Sequence, residues 1–290
     1  MTPPPNLDKR SSQADEFTIT HNDAPDTEFP ESFTISVNLA QEVQISLEVR
    51  RPAGAHGFKI GKGPDGGYSY FGPDAAKPEG YVVHRFWPLT RTLGNITLNG
   101  KSLAVEGPGM FVHAIQGMRP NLVASRWNFC HFQSSAHDVS AVQMEFTTTN
   151  DYGRNGAGSG YVSVNVGGLV IGGKLAAVTA ETKWPSEAQP EEANIISQAR
   201  HLKSVHDPDT GYSQPTELLF RWAGPSILSD VPGSIEGTLA VDVGSLEKPK
   251  GLIEKVDVLA EIPTVIKTVV NYVAGTKPYI YQVGTLGGFH

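Results

Sequence analysis

Apolar residues in this chain recur at every second position over long stretches. In Phe33-Thr-Ile-Ser-Val37 and in Val43-Gln-Ile-Ser-Leu-Glu-Val49 the alternation is unbroken. Successive side chains of an extended strand point to opposite faces. Phe33, Ile35 and Val37 therefore share one face of their strand, as Val43, Ile45, Leu47 and Val49 do of theirs. A chain patterned this way must pair its strands and bury one side of the resulting sheet.

Turn chemistry punctuates the runs. Pro64-Asp-Gly-Gly67 separates Phe58–Ile60 from Tyr68–Phe71. Asn99-Gly100 is a stronger signal, because a type I′ turn needs positive φ at both central residues; it predicts a hairpin joining Asn95–Leu98 to Ser102–Val105. Further strands are expected at Ser125–Phe132, Ser140–Thr148, Tyr161–Val170 and Lys174–Thr182, with Gly172-Gly173 as the turn between the last two. Val142, Met144 and Phe146 share one face of their strand; Gln143, Glu145 and Thr147 share the other. Residues Trp184 to Gln214 read as a long polar excursion, within which Ile195–Val205 is either a short helix or a strand. Glu217–Trp222, Ile235–Val241 and Leu252–Ala260 complete the strands. One helix is expected over Ile262–Gly275, with Pro263 near its start, Gly275 at its end, and Val265, Ile266, Val269, Val270 and Val273 as its apolar stripe. The pattern predicts an all-β, mainly antiparallel chain: a disordered lead-in over 1–15, a first β unit over 16–114 and a second over 115–290.

Composition narrows the functional classes. Of 290 residues, 31 are glycine and 21 proline while only 18% are charged, which favours turns and short strands over long exposed helices. The net charge of −7 argues against a general nucleic-acid binder, which would need basic patches to neutralise phosphates. One cysteine, Cys130, excludes an internal disulfide and fits a reducing compartment. The lead-in MTPPPNLDKRSSQADE lacks the apolar core of a secretory signal, and no apolar run approaches the roughly 20 residues of a membrane-spanning helix. A soluble cytoplasmic protein is the expectation.

Reaction motifs are scarce. His113, His131 and His137 lie near Cys130, but no CxxC or HExxH spacing occurs, and Cys130 and His131 point to opposite faces of a strand; no metal site is expected. No G-x-S-x-G elbow is present. Gly57 to Gly63 departs from a phosphate loop in its glycine spacing and in lacking the Ser or Thr that would hold a metal. What remains is the lining of a ligand cavity, for which Gly109 to Gln133, rich in aromatic and methionine side chains, is the obvious source. Arg126, Asn128 and Cys130 alternate with Trp127, Phe129 and His131. If the polar side faces inward, Arg126 needs a partner, and Glu145 on the next strand is the natural one. The same pair equally serves as a sheet-stabilising ion pair with Trp127 in the core.

Blocks of sequence carry a family resemblance. MFVHAIQGMRPNLVASRWNF (110–129), MEFTTTNDYG (144–153), VDVLAEIP (256–263) and VAGTKPYIYQ (273–282) resemble the fungal survival factor 1 family, and FWPLTRTLGNIT (86–97) and HDPDTGYSQPTELLFRW (206–222) fit its pattern. The resemblance implies two consecutive lipocalin-like β-barrel or sandwich domains meeting near Met110–Gly117, in a cytoplasmic and also nuclear protein that supports survival of oxidative stress. It further implies a non-enzymatic protein without cofactor that binds or transfers a hydrophobic lipid such as a ceramide, a sphingolipid, with transient membrane contact. Relative to that family the chain reads as shortened at both ends, lacking much of the first half of the first domain, the amphipathic amino-terminal segment and the last strands. The candidate pocket residues are Trp87, Met110, His113, Arg126 and Trp127, with Asn128, Met144, Glu145, Tyr279 and Tyr281. Two other classes stay open: a lipocalin-like enzyme (a cyclase, isomerase or hydratase) using Arg126, Glu145 or His113, and an interaction protein pairing through an open sheet edge.

Overall fold

The computed structural model describes residues 10–23, 26–39, 42–59, 68–72, 74, 76–117, 125–149, 162–183, 195–257, 260, 279–284 and 288–289. It is all-β over these residues, and its ladders are antiparallel, as the alternation requires. The helix expected over 262–275 lies outside the described residues.

The first sheet has eight strands: β1 (Ser12–Gln13), β2 (Phe17–Asp23), β3 (Glu31–Leu39), β4 (Val43–Arg51), β5 (Phe58–Lys59), β6 (Tyr68–Phe71), β7 (Gly80–Leu98) and β8 (Lys101–Gly117). Strands β1 to β4 follow one another across the sheet, and β7 is next to β4. One edge of β7 is shared, β4 pairing with its residues 91–98 and β5 and β6 with residues 80–86; β8 lines the other edge throughout. The hairpin at Asn99-Gly100 forms as expected, with φ of 48° and 79°, but its arms are far longer than the alternation suggested. Two local devices shape β7. The ladder with β8 shifts register between Trp87 and Thr90, and Pro88, which has no N–H to offer a ladder, sits in that bulge. At Gly94 (φ 150°) an added Cβ would lie 2.0 Å from the Ser46 carbonyl, so only glycine allows β7 to lie this close to β4.

The second sheet, in the order β12-β11-β10-β9, contains β9 (Arg126–Ser134), β10 (Val139–Thr147), β11 (Ser163–Ile171) and β12 (Lys174–Lys183). The third pairs β13 (Ile196–His206), β14 (Ser213–Pro225), β15 (Ser234–Asp242) and β18 (Gly288–Phe289); β16 (Leu252–Asp257) and β17 (Tyr279–Gly284) form a separate ribbon. Ile195–Val205, left between helix and strand by the sequence within a polar excursion, falls almost entirely on strand β13. β8 remains in the first sheet through Gly117.

The second sheet is the middle layer. Val142, Met144, Phe146, Val164 and Val166 meet Val82 and Phe86 of the first sheet. Cys130, Ala141 and Leu169, on the opposite side, meet Ala199, Leu218, Phe220, Trp222 and Leu239 of the third. Burial on both faces explains why β10 and β11 are buried at nearly every position, including Gln143. The layers are also tied by polar bonds. Ser140 Oγ donates to the Pro88 carbonyl at 2.6 Å, and Trp222 Nε1 donates to the Val142 carbonyl at 2.9 Å.

Candidate functional site

A cavity of about 260 Å³ opens on the face of the first sheet turned away from the middle layer. Its floor follows from strand alternation: Phe33, Trp87 and Phe111 come from three strands and point to the same side, with Val49 packed in the same cluster. The Phe33 and Phe111 rings stack at 4.2 Å between centroids, and Trp87 lies 5.0 Å from Phe33 and 5.2 Å from Phe111. Gly57 allows the chain before β5 to pass against the indole, since a Cβ there would come 2.7 Å from Trp87 Cδ1.

The same face continues past the aromatic cluster as an apolar strip. Register places Ile19, Ile35 and Leu47 in one row across β2, β3 and β4, and Phe17, Val37, Ile45, Ile96 and Leu103 in the next, reaching β7 and β8. These residues are half-buried at best, and Leu103 is 62% exposed. The cavity is thus the closed end of a longer open apolar surface.

Charge surrounds the floor. The Arg51 guanidinium sits over Trp87 and holds Glu31 at 2.8 and 2.9 Å. Arg10 reaches the other Glu31 oxygen at 2.9 Å and Asp23 at 3.4 Å, and His21 Nε2 lies 3.3 Å from Glu31. Burial alone would raise the Glu31 pKa, but the hydrogen bonds and charge of Arg51, helped by His21, hold it below the ordinary value. His21, Asp23 and Glu31 are close enough together to offer ligands to a metal ion. Arg10 and Arg51 already bond that carboxylate, so two guanidinium groups supply positive charge at this cluster.

Across β5, β7 and β8, Lys59, Arg85 and His113 stand side by side, Arg85 directly opposite each of the other two. All three line the cavity. Burial, together with the Arg85 charge, lowers the His113 pKa, so its ring is neutral at pH 7.

The residues expected to line a pocket are dispersed by the fold. Trp87 and His113 meet in the cavity. Met110 and Met144 belong to the packing between the first two sheets. Arg126 is exposed, and Trp127 is 61% exposed, so Trp127 neither fills the core nor faces this cavity. The residue opposite Glu145 is Asn128, not Arg126; Glu145 Oε2 accepts the Ala199 N–H at 2.9 Å, while Asn128 Oδ1 lies 2.7 Å from His201 Nε2. Tyr281 donates to Asp207 at 2.7 Å, and Lys255, near the Tyr279 ring, bridges Asp207 and Asp209 at 3.0 and 3.1 Å. Tyr281 and Lys255 fasten the β16–β17 ribbon to the loop after β13, while Tyr279 stays within the ribbon beside Lys255. Cys130, buried between the second and third sheets, has its thiol pKa pushed up to about 12 by burial, which makes it a packing residue without nucleophilic character.

Sequence reasoning missed Arg10, His21, Glu31, Arg51, Lys59 and Arg85. The available signal was His84-Arg85-Phe86-Trp87, where one arginine stands among aromatic side chains within a largely buried strand. Only strand register brings positions so distant in sequence into one wall.

Known proteins provide a second line of comparison. The ceramide-binding protein svf1 of Aspergillus fumigatus is 37% identical over 253 residues, covering 87% of this chain and 54% of that protein. Its namesake in Schizosaccharomyces pombe is 34% identical over 249 residues, covering 85% of this chain and 55% of that protein. The chain thus spans about half the length of these relatives. Among solved structures, a putative AttH from Nitrosomonas europaea aligns over 96% of this chain and 67% of its own, at 10% identity and a TM-score of 0.46. The model of the Svf1 family matches residues 4–285, and the chain belongs to that family.

Proposed function

We propose that this chain binds a long-chain lipid of the ceramide type without transforming it. The observation that carries this reading is the continuity between the aromatic cavity and the open apolar strip. At about 260 Å³ the cavity is smaller than the roughly 300–1,000 Å³ of most ligand sites. It suits the amide and hydroxyl head of such a lipid, with the hydrocarbon chains lying along Ile35, Val37, Ile45, Leu47 and Leu103. Each methylene removed from water there contributes ~0.8 kcal/mol. The names of the fungal relatives support the same ligand class.

In this reading the first sheet and the later sheets are two lipocalin-like units. The protein works in the cytoplasm or nucleus, touches membranes briefly to load and unload, has no nucleic-acid partner and supports survival of oxidative stress. Lipid extraction and mass spectrometry of protein made in a fungal host test the assignment. Enrichment of one sphingolipid class over the host's bulk lipids is expected. No enriched lipid, together with no rise in melting temperature on adding ceramide, would overturn it.

A further inference from the structure

The walls of the cavity are electrically lopsided. Arg10, Arg51, Lys59 and Arg85 line it against one carboxylate, Glu31. That carboxylate is already shared by Arg10, Arg51 and His21. Asp23, just outside the cavity lining, is also taken by Arg10. Among the described residues neither Lys59 nor Arg85 forms an ion pair, and the buried Arg85 Nε has no hydrogen-bond partner.

Sheet register makes this costly in the absence of an anion. Lys59 and Arg85 are directly opposite on neighbouring strands, as are Arg85 and His113. Like charges in that position repel, and a guanidinium drawn partly out of water loses hydration it must recover elsewhere. An anion held between them removes both penalties. The planar fork of Arg85 matches the paired oxygens of a phosphate or carboxylate, Lys59 adds a point charge, and the neutral His113 ring adds a polar nitrogen on the far side. The excess of cations at the cavity mouth raises the local anion concentration before contact. Immediately beside this row lie Trp87 and Phe111, the start of the apolar strip. A charged head and a greasy tail would therefore be accommodated in one continuous track.

We propose that Lys59, Arg85 and His113 form the seat for an anionic, phosphate-type head group of a long-chain amphiphile. The proposal rests on the lipid-binding reading above and sharpens it: a phosphorylated lipid should be held more tightly than its neutral parent.

The test is a titration of the full chain with ceramide and with ceramide 1-phosphate of identical chains, delivered from cyclodextrin, and separately with inorganic phosphate. The phosphorylated lipid is expected to bind about tenfold more tightly than ceramide, the equivalent of one charge-assisted contact, with the gap narrowing as salt is raised. Arg85→Gln should erase that preference, bringing the two lipids to equal affinity within about twofold. Lys59→Gln, at an exposed position that does not support the fold, should reduce the preference in the same direction. Equal affinity for the two lipids in the wild-type protein would overturn the proposal. So would inorganic phosphate binding as tightly as the phosphorylated lipid, which would identify a free-anion site. Failure of both lipids to bind would instead contradict the lipid-binding reading itself.

Discussion

Arg51 lies 5.8 Å from the centroid of the Trp87 ring while its guanidinium holds Glu31 at 2.8 Å. One side chain thus joins the aromatic floor of the cavity to its charged wall. Because Glu31 is also the partner of Arg10 and His21, it fixes β1–β3 against the end of β4.

Replacing Arg51 by Met preserves the apolar stem over Trp87 and removes both the ion pair and the cation–π contact. A loss of about 2 kcal/mol in urea unfolding is expected, the combined size of a charged hydrogen bond and a partly buried cation–π pair. Glu31→Gln should cost less, since its amide oxygen still accepts from an arginine. Equal stability of R51M and wild type would remove Arg51 from this structural role.

His84 governs acid stability. It is 3% exposed, its Nδ1 has no hydrogen-bond partner among the described residues, and burial depresses its pKa from 6.5 to about 4. A depressed histidine contributes its full stability above the unfolded value and loses it as pH falls through the window down to the folded value. Between pH 6.5 and 4 the loss attributable to His84 is on the order of 3 kcal/mol. His84→Leu should therefore show a flatter decline than wild type in urea unfolding at pH 7 and pH 4.5. Identical slopes would place the acid sensitivity elsewhere.

Cys130 should behave as a buried reporter. With its thiol pKa raised to about 12 and 8% of the residue exposed, reaction with a thiol reagent at pH 8 is expected to be slow in the native state and fast in denaturant. Rapid native labelling would contradict the packing of β9 against the third sheet.

Trp222 joins the middle and third sheets. Trp222→Phe removes the donor to the Val142 carbonyl and some buried area, for an expected cost of about 1–2 kcal/mol; Trp222→Ala should cost about 3–5 kcal/mol. Denaturation followed by far-UV circular dichroism checks both values.

Much of the fold was legible because strand alternation is a local property. That Phe33 and Ile35 share one face of their strand, and Leu47 and Val49 one face of theirs, follows directly from it, and Asn99-Gly100 has the positive φ its turn type demands. Two blocks that carry the family resemblance also meet, through the bond from Tyr281 to Asp207. The site was less legible. Glu145 and Arg126 are on adjacent strands, yet the register sets Glu145 against Asn128, so the pairing inferred from proximity in sequence does not form. The cavity assembles positions 10, 31, 51, 59, 85 and 113, whose adjacency depends on strand register and on the bulge at Pro88, neither of which has a local sequence signature.

In the proposed binding mode the strip from Phe33 to Leu103 carries the lipid chains. The direct measurement is equilibrium binding of a ceramide to the wild-type chain and to Leu103→Asp, whose position is 62% exposed and can take a charge without loss of the fold, with Ile45→Asp as a second variant in the same row. Saturable binding by wild type, weakened about tenfold or more in both variants with unchanged circular dichroism, is the predicted result. Wild-type affinity in both folded variants, or no binding by the wild-type chain, would contradict it.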